Sequence, residues 1–173
     1  MSVTVRDRTS DDEAWVQSSL RLAWGSSLVA RLGELIDASA LPGVVAEFDG
    51  ERVGLATVAL RGNECELVSL STTVEGRGVG RSLVQRCATD ARAAGCRRLW
   101  LVTTNDNLRA YGFYQRLGMD LRALHRDAVT ADRRLKAQIP LRGAFGIPIR
   151  HLLEFELLLE EAAISLPDEE GIP

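Results

Sequence analysis

The stretch of this chain best suited to chemistry is Glu75-Gly76-Arg77-Gly78-Val79-Gly80-Arg81-Ser82, where a run of β-forming residues ends and a strongly helical run begins. Three glycines at alternate positions leave the backbone bare just where the first helical N–H groups lack partners inside the helix. An anion can approach such a turn closely, so the implied ligand is a phosphate or pyrophosphate. The alternative is a tight strand-to-helix connection that binds nothing. A dinucleotide fingerprint opens a βαβ unit with G-x-G-x-x-G, whereas this stretch lies mid-chain after several strands and lacks that third glycine. The absence of Gly-Lys-Ser/Thr argues against a nucleoside-triphosphate loop.

Other side chains offer acid–base or metal chemistry. Glu66 lies on the strand that ends in the glycine turn; it is either a base acting on an acceptor through water or an outward-facing strand glutamate. Asp106, between a strand and a helix, is a rival base or a helix cap. His125 and His151 are the two histidines, and nothing in their spacing brings them together. With no Cys-x-x-Cys and no clustered ligands, no metal site is expected. Trp15 and Trp24 sit at helical spacing and read as core.

The elements that position these residues follow from pattern. Val3 and Val5 alternate as in a first strand, and Ser10 to Glu13 has capping-box form ahead of a helix through Leu22. Val29, Leu32, Leu35 and Ile36 recur at helical spacing, which predicts a second helix or helical lid between Ser26 and Leu41, stopping before Pro42-Gly43. Val44 to Phe48, Asp49-Gly50 and Val53 to Leu60 form a hairpin signal, since Asp-Gly supplies the positive φ of a two-residue turn. A turn at Arg61-Gly62-Asn63 extends the meander to Val74.

The helix opening at Val79 places Leu83, Val84, Cys87 and Ala91 on one face and stops at Gly95. Arg98 to Thr104 then reads as a strand, reached by a right-handed parallel crossover. Asn107 caps a helix over Leu108 to Leu117, closed by Gly118. A strand over Met119 to His125, a short helix over Ala128 to Ala137, a Gly/Pro-rich loop over Ile139 to Pro148 and a last strand around Leu153 to Leu159 complete the pattern. Residues 161–173 read as a loose tail.

A chain of 173 residues with 46% hydrophobic content suits one domain over 1–173. Its net charge of −3 and scattered arginines argue against a nucleic-acid surface, and no nucleic-acid partner is expected. No apolar run approaches the roughly 20 residues that span a bilayer, and no membrane partner is expected. Cys65, Cys87 and Cys96 are odd in number and sit inside element patterns, which favours buried thiols and a reduced, cytoplasmic setting. A homodimer is left open.

The order β, α, α, meander, α, β, α, β, together with Gly76-Arg77-Gly78-Val79-Gly80 and the run Asn107 to Met119, resembles the GNAT-type N-acetyltransferase superfamily. The second run matches the family pattern of Asn, Ala, an aromatic-Tyr pair and a closing Gly-hydrophobe. The resemblance implies an α/β fold with a central, mostly antiparallel twisted sheet, a splayed parallel strand pair and flanking helices. It implies acetyl-CoA as co-substrate, with the pyrophosphate on the amides of Gly76, Arg77, Gly78, Val79, Gly80, Arg81 and Ser82, and the pantetheine arm against backbone near Leu70. Asn107 matches a position that often hydrogen-bonds the cofactor arm, while as a helix-start residue it is equally a cap. Tyr114 aligns with the tyrosine that faces the thioester sulfur and protonates the departing thiolate; otherwise it is a packed tyrosine.

One departure is Glu75, where the family usually has Gln or Arg, and a carboxylate there should point away from a pyrophosphate. Thr104-Asn105-Asp106-Asn107 and Gly146-Ile147-Pro148-Ile149-Arg150 look like features of a bacterial subgroup of unassigned substrate. The implied activity is acetyl transfer to a primary amine of a small molecule or peptide. The competing reading is a catalytically silent acyl-CoA sensor or assembly module, which would not need Tyr114. Residues 26–41 and 126–150 are expected to line the acceptor pocket, and net acidity leans toward a cationic acceptor.

Overall fold

The computed structural model describes residues 2–159; the expected tail over 161–173 lies outside the described residues. A seven-stranded sheet forms the centre, in the order β1 (Val3–Asp7), β4 (Gly43–Phe48), β5 (Glu51–Arg61), β6 (Glu64–Thr72), β7 (Arg98–Thr104), β9 (Leu152–Leu158) and β8 (Asp120–His125). Among the described residues only β6 and β7 pair in parallel. The last strand is inserted between β7 and β8. Asp49 and Gly50 at φ 52° and 84° make the predicted two-residue turn between β4 and β5.

The two faces of the sheet are covered differently. On one face lie α2 (Val79–Ala93) and α3 (Leu108–Arg116). Leu83, Val84, Cys87, Ala88 and Ala91 recur every three or four residues along α2 and are buried with Ala46, Ala56, Leu67, Leu99, Leu101 and Phe155. Burial of each large aliphatic side chain in this layer contributes about 1.5–3 kcal/mol. Gly95 at φ 82° stops α2 as expected.

On the other face, Val16 and Leu20 of α1 (Glu13–Trp24) pack on Val45 and Leu55. The capping box lies one residue earlier than the sequence pattern suggests: Thr9 and Asp12 form it, not Ser10 and Glu13. Asp12 is committed further, because its carboxylate also accepts from Arg6 at 2.7 and 2.9 Å and from Arg52 at 2.8 Å. These bonds tie the start of α1 to β1 and β5.

Two expectations are corrected. Residues 26–41 contain no α-helix; they form a hairpin of β2 (Leu28–Arg31) and β3 (Glu34–Asp37), followed by a 3-10 turn over Ala38–Ala40. Leu32 and Gly33, at φ 51° and 78°, supply the two-residue turn. Val29 and Ile36 happen to mimic a helical period while facing each other across the hairpin. The helix α4 spans only Ala128–Asp132, not through Ala137. Beyond Asp132 the chain continues as turns, Leu135 N and Lys136 N donating to Asp132 O, while the buried Asp132 carboxylate accepts from the amides of Leu32 at 3.0 Å and Gly33 at 2.7 Å. A segment remote in sequence thereby holds the hairpin turn closed.

Candidate active site

The parallel register of β6 and β7 covers only Glu64–Glu66 against Arg98–Trp100. Beyond it the strands part, and a bulge contributes: Thr57 pairs with Ser69 while Val58 pairs with Leu67, so Val68 is an extra residue on β6. A bulge bends its strand and increases its twist. A cleft of about 470 Å³ opens between the diverging strands, lined by Leu67 to Thr72 on one side and Leu101 to Thr103 on the other. It crosses the sheet, because Tyr114 of α3 and Trp24 of α1 both line it from opposite faces.

The glycine turn closes one end of the cleft. Gly76 and Gly78 adopt φ 66° and 70°, with open space where a Cβ would stand. Gly78 is also the N-cap of α2 and has no side chain with which to satisfy the first-turn amides. The combination of a helix N-terminus, its dipole and bare backbone fits an anionic diphosphate. Gly80 serves otherwise: a Cβ there would lie 3.0 Å from Phe113 Cζ, so Gly80 lets α2 approach α3.

The expected cofactor residues separate accordingly. Gly76, Gly78, Val79, Gly80, Arg81, Leu70 and Asn107 all line the cleft. Arg77 does not, since its guanidinium lies over the Phe48 ring at 5.6 Å. Nor does Ser82, whose amide donates to Gly78 O at 2.9 Å as an ordinary helical bond. Glu75 lines the cleft but turns aside to Arg109, 2.7 Å away at the start of α3. This neutralises the carboxylate that the family pattern does not have. Asn107 is the α3 cap, its Oδ1 accepting from Ala110 N at 3.1 Å.

Tyr114 is buried and lines the cleft, with Phe113 at 5.1 Å and Phe155 at 5.8 Å between ring centroids. Burial raises its pKa well above the usual phenol range, because the phenolate would lose hydration. The hydroxyl therefore stays protonated at neutral pH.

Glu66 is at the point where β6 and β7 separate, but it is not a lining residue. It is 1% exposed and held from two sides. Arg31 of the hairpin forms a bidentate pair with it through Nε and Nη2, and Arg61 Nε reaches it at 3.2 Å. Glu34 bridges the same two arginines. Asp106 is also off the cleft, with Oδ2 accepting from Ala144 N at 3.1 Å. The neighbouring Asn105 binds the backbone of Pro148, Arg150 and His151 at 2.9 Å each, so the two subgroup-like motifs clasp one another. His125 pairs with Glu154, and His151 Nδ1 accepts from Asp127 N; neither lines the cleft. Among the described residues no group of three or more His, Cys, Asp or Glu could hold a metal ion.

Sequence reasoning missed Trp24, the hairpin and the bulge. Trp24 is 45% exposed at the end of α1 and belongs to the cleft, not the core. Leu32-Gly33 was the available sign of the hairpin turn; the bulge at Val68 has no local sequence signal.

Residues 10–119, more than half of the chain, match the acetyltransferase (GNAT) family, and the chain belongs to it. The family's chemistry is acetyl transfer. A curated relative, the uncharacterized protein YdhI of Bacillus subtilis (strain 168), is 36% identical over 138 residues, 79% of this chain and 86% of the relative. Among solved structures, an IAA acetyltransferase from Bacillus cereus ATCC 14579 superposes with a TM-score of 0.73 at 20% identity, covering 91% of this chain and 100% of its own. The putative acetyltransferase yncA from Salmonella typhimurium, solved with its cofactor acetyl-CoA, gives 0.65 at 19% identity, covering 98% and 99%. These similarities agree with the mixed sheet and its splayed pair. No described helix is long and apolar enough to cross a membrane.

Proposed function

We propose that this protein moves the acetyl group of acetyl-CoA directly to an amine, as an N-acetyltransferase. The observation that carries the reading is one cleft joining an anion-binding glycine turn to a buried, protonated tyrosine and then to the opposite sheet face. Two substrates can thus meet from opposite sides without exchanging places. The Salmonella protein's bound acetyl-CoA supports the same cofactor here.

In this reading the first-turn amides of α2 hold the pyrophosphate, and the unpaired edge of β6 near Leu70 carries the pantetheine arm. Tyr114 donates its proton to the departing thiolate. Glu66 was the sequence candidate for the base; its arginine pairs support a positioning role, fixing the hairpin at the root of the cleft, and leave deprotonation of the acceptor to water. The three buried thiols Cys65, Cys87 and Cys96 suit work in a reducing cytoplasm.

The test is direct. Acetyl-CoA should raise the melting temperature in a concentration-dependent way, and an acceptor amine should trigger free-thiol release with an amide as product. Gly78→Val should abolish the thermal shift, since a valine would be strained at φ 70° and would crowd the amides. Thiol release yielding an ester, or none of the amide, would sink the amine assignment.

A further inference from the structure

The two ends of the cleft differ in charge, and the neutral end is built around a residue that neither family motif contains. Trp24 closes it from the α1 face. Ser69 and Ser71 share that face, because they pair with Thr57 and Leu55, and Leu55 packs beneath α1. The Ser69 and Thr57 hydroxyls lie 2.6 Å apart. Val68 and Val102 complete this wall. None of these lining side chains is charged. The charged lining residues, Glu75, Arg81, Arg109 and Arg116, all belong to the glycine turn, α2 or α3.

The acids nearby are engaged. Glu66 is held by Arg31 and Arg61, and Asp132 by the two hairpin amides. The side chain tethered to the end of α1 is a lysine that lies off the cleft: Lys136 Nζ donates to Leu28 O at 2.7 Å and Trp24 O at 3.4 Å. A protonated amine entering here would give up hydration and find no carboxylate on the wall to replace it. A flat neutral group would meet the indole and two valines instead.

We propose that the acceptor is a weakly basic arylamine, neutral near pH 7, and that Trp24 selects it. This rests on the amine-transfer reading above and replaces the cationic acceptor that net charge suggested. An arylamine needs no carboxylate to free its lone pair. Its nitrogen pair forms the bond to the acetyl carbonyl carbon as the carbon–sulfur bond breaks with its electrons going to sulfur. The nitrogen releases its proton to water, the sulfur takes one from Tyr114, and water restores the phenol.

The test uses 4-methoxyaniline and spermidine as competing acceptors, with anisole as a binding probe that cannot be acetylated on nitrogen. The wild-type enzyme should acetylate 4-methoxyaniline with kcat/KM at least about 10-fold above spermidine, and Trp24→Ala should raise the KM for 4-methoxyaniline by about 10-fold. The KM for acetyl-CoA should stay within about 2-fold, because a contact confined to the acceptor leaves cofactor binding alone. Trp24→Phe should recover most of the loss. Calorimetry should show anisole binding to the CoA complex of the wild type and not of Trp24→Ala. Preference for spermidine, or an anisole affinity and arylamine KM untouched by Trp24→Ala, would overturn the proposal. If neither amine is acetylated but anisole still binds through Trp24, the amine reading fails and the aromatic site stands. If neither is acetylated and anisole does not bind, the aromatic site falls as well.

Discussion

The two walls of the cleft are held by different kinds of bond. The wall formed by the glycine turn, α2 and α3 is secured locally: Asn107 caps Ala110 three residues on, and Gly80 seats α2 against Phe113. The opposite wall, where Trp24 of α1 stands, is backed by the β2–β3 hairpin, which does not itself line the cleft, against the expectation for residues 26–41, and is secured from afar. Asp132 reaches amides 99 and 100 residues earlier in the chain, Lys136 reaches a carbonyl 108 residues earlier, and Arg31 reaches Glu66 35 residues on. The local wall carries the charges and the remote wall is neutral where it lines the cleft. In the proposed reading, the difference teaches that a cofactor surface can stay fixed while the acceptor surface is re-cut by changing its distant clasps.

Perturbing each wall separately should break or sharpen this contrast. The largest effect is expected at the junction: Tyr114→Phe should reduce turnover by about 10²-fold or more, roughly 3 kcal/mol, when chemistry limits the rate. Acetyl-CoA affinity should barely change, and a wild-type rate would return Tyr114 to a packing role. Next, Arg31→Met leaves Glu66 buried with only Arg61, so unfolding free energy should fall by about 3 kcal/mol. Acetyl-CoA should still stabilise that variant; loss of cofactor binding would mean that the walls are not separable.

A third effect concerns pH. The Arg6 hydrogen bonds hold the Asp12 carboxyl well below its ordinary value of 3.8, against the opposing pull of burial. A carboxylate with a depressed folded pKa contributes stability that is complete above the unfolded pKa and fades as pH falls through the folded one. Denaturant midpoints should therefore be insensitive to this group from neutrality to about pH 4 and decline below it. Asp12→Asn should flatten that decline; an equally steep decline would assign acid sensitivity to other groups. The smallest effect is expected at the exposed Glu75–Arg109 pair. Glu75→Gln should tighten acetyl-CoA by about 2- to 5-fold at low salt and by little at high salt. An unchanged affinity at low salt would show that the pair is electrically silent.

The local wall was legible because its determinants lie within a few residues of one another. Alternating glycines, Asn107 as a cap and helical spacing along α2 each specify their own geometry. The meander was legible for the same reason, Asp49-Gly50 being a turn in itself. The remote wall was not. Val29, Leu32, Leu35 and Ile36 fit a helical period by chance, and what decides the hairpin is Leu32-Gly33 together with a carboxylate from α4. Trp24 resembled a core residue because period alone cannot say where a helix ends relative to an opening. Glu66 resembled a base because strand position alone does not reveal the arginines waiting across the sheet.

The insertion of β9 between β7 and β8 also bears on the order in which the molecule can be completed. As the chain emerges during synthesis, residues 3–116 already contain α2, α3 and the strands from β1 to β7, whose pairings run between neighbours in sequence, across α2 for β6 with β7, or across α1 and the β2–β3 hairpin for β1 with β4. Asp132 and Lys136 come later, and the segment that Asn105 clasps later still. Contacts spanning such distances in sequence form slowly because a long loop must close first. In the proposed reading, the nascent protein should thus possess the lining of both ends of the cleft before the clasps that hold the acceptor side, and the selective half is the last to be secured.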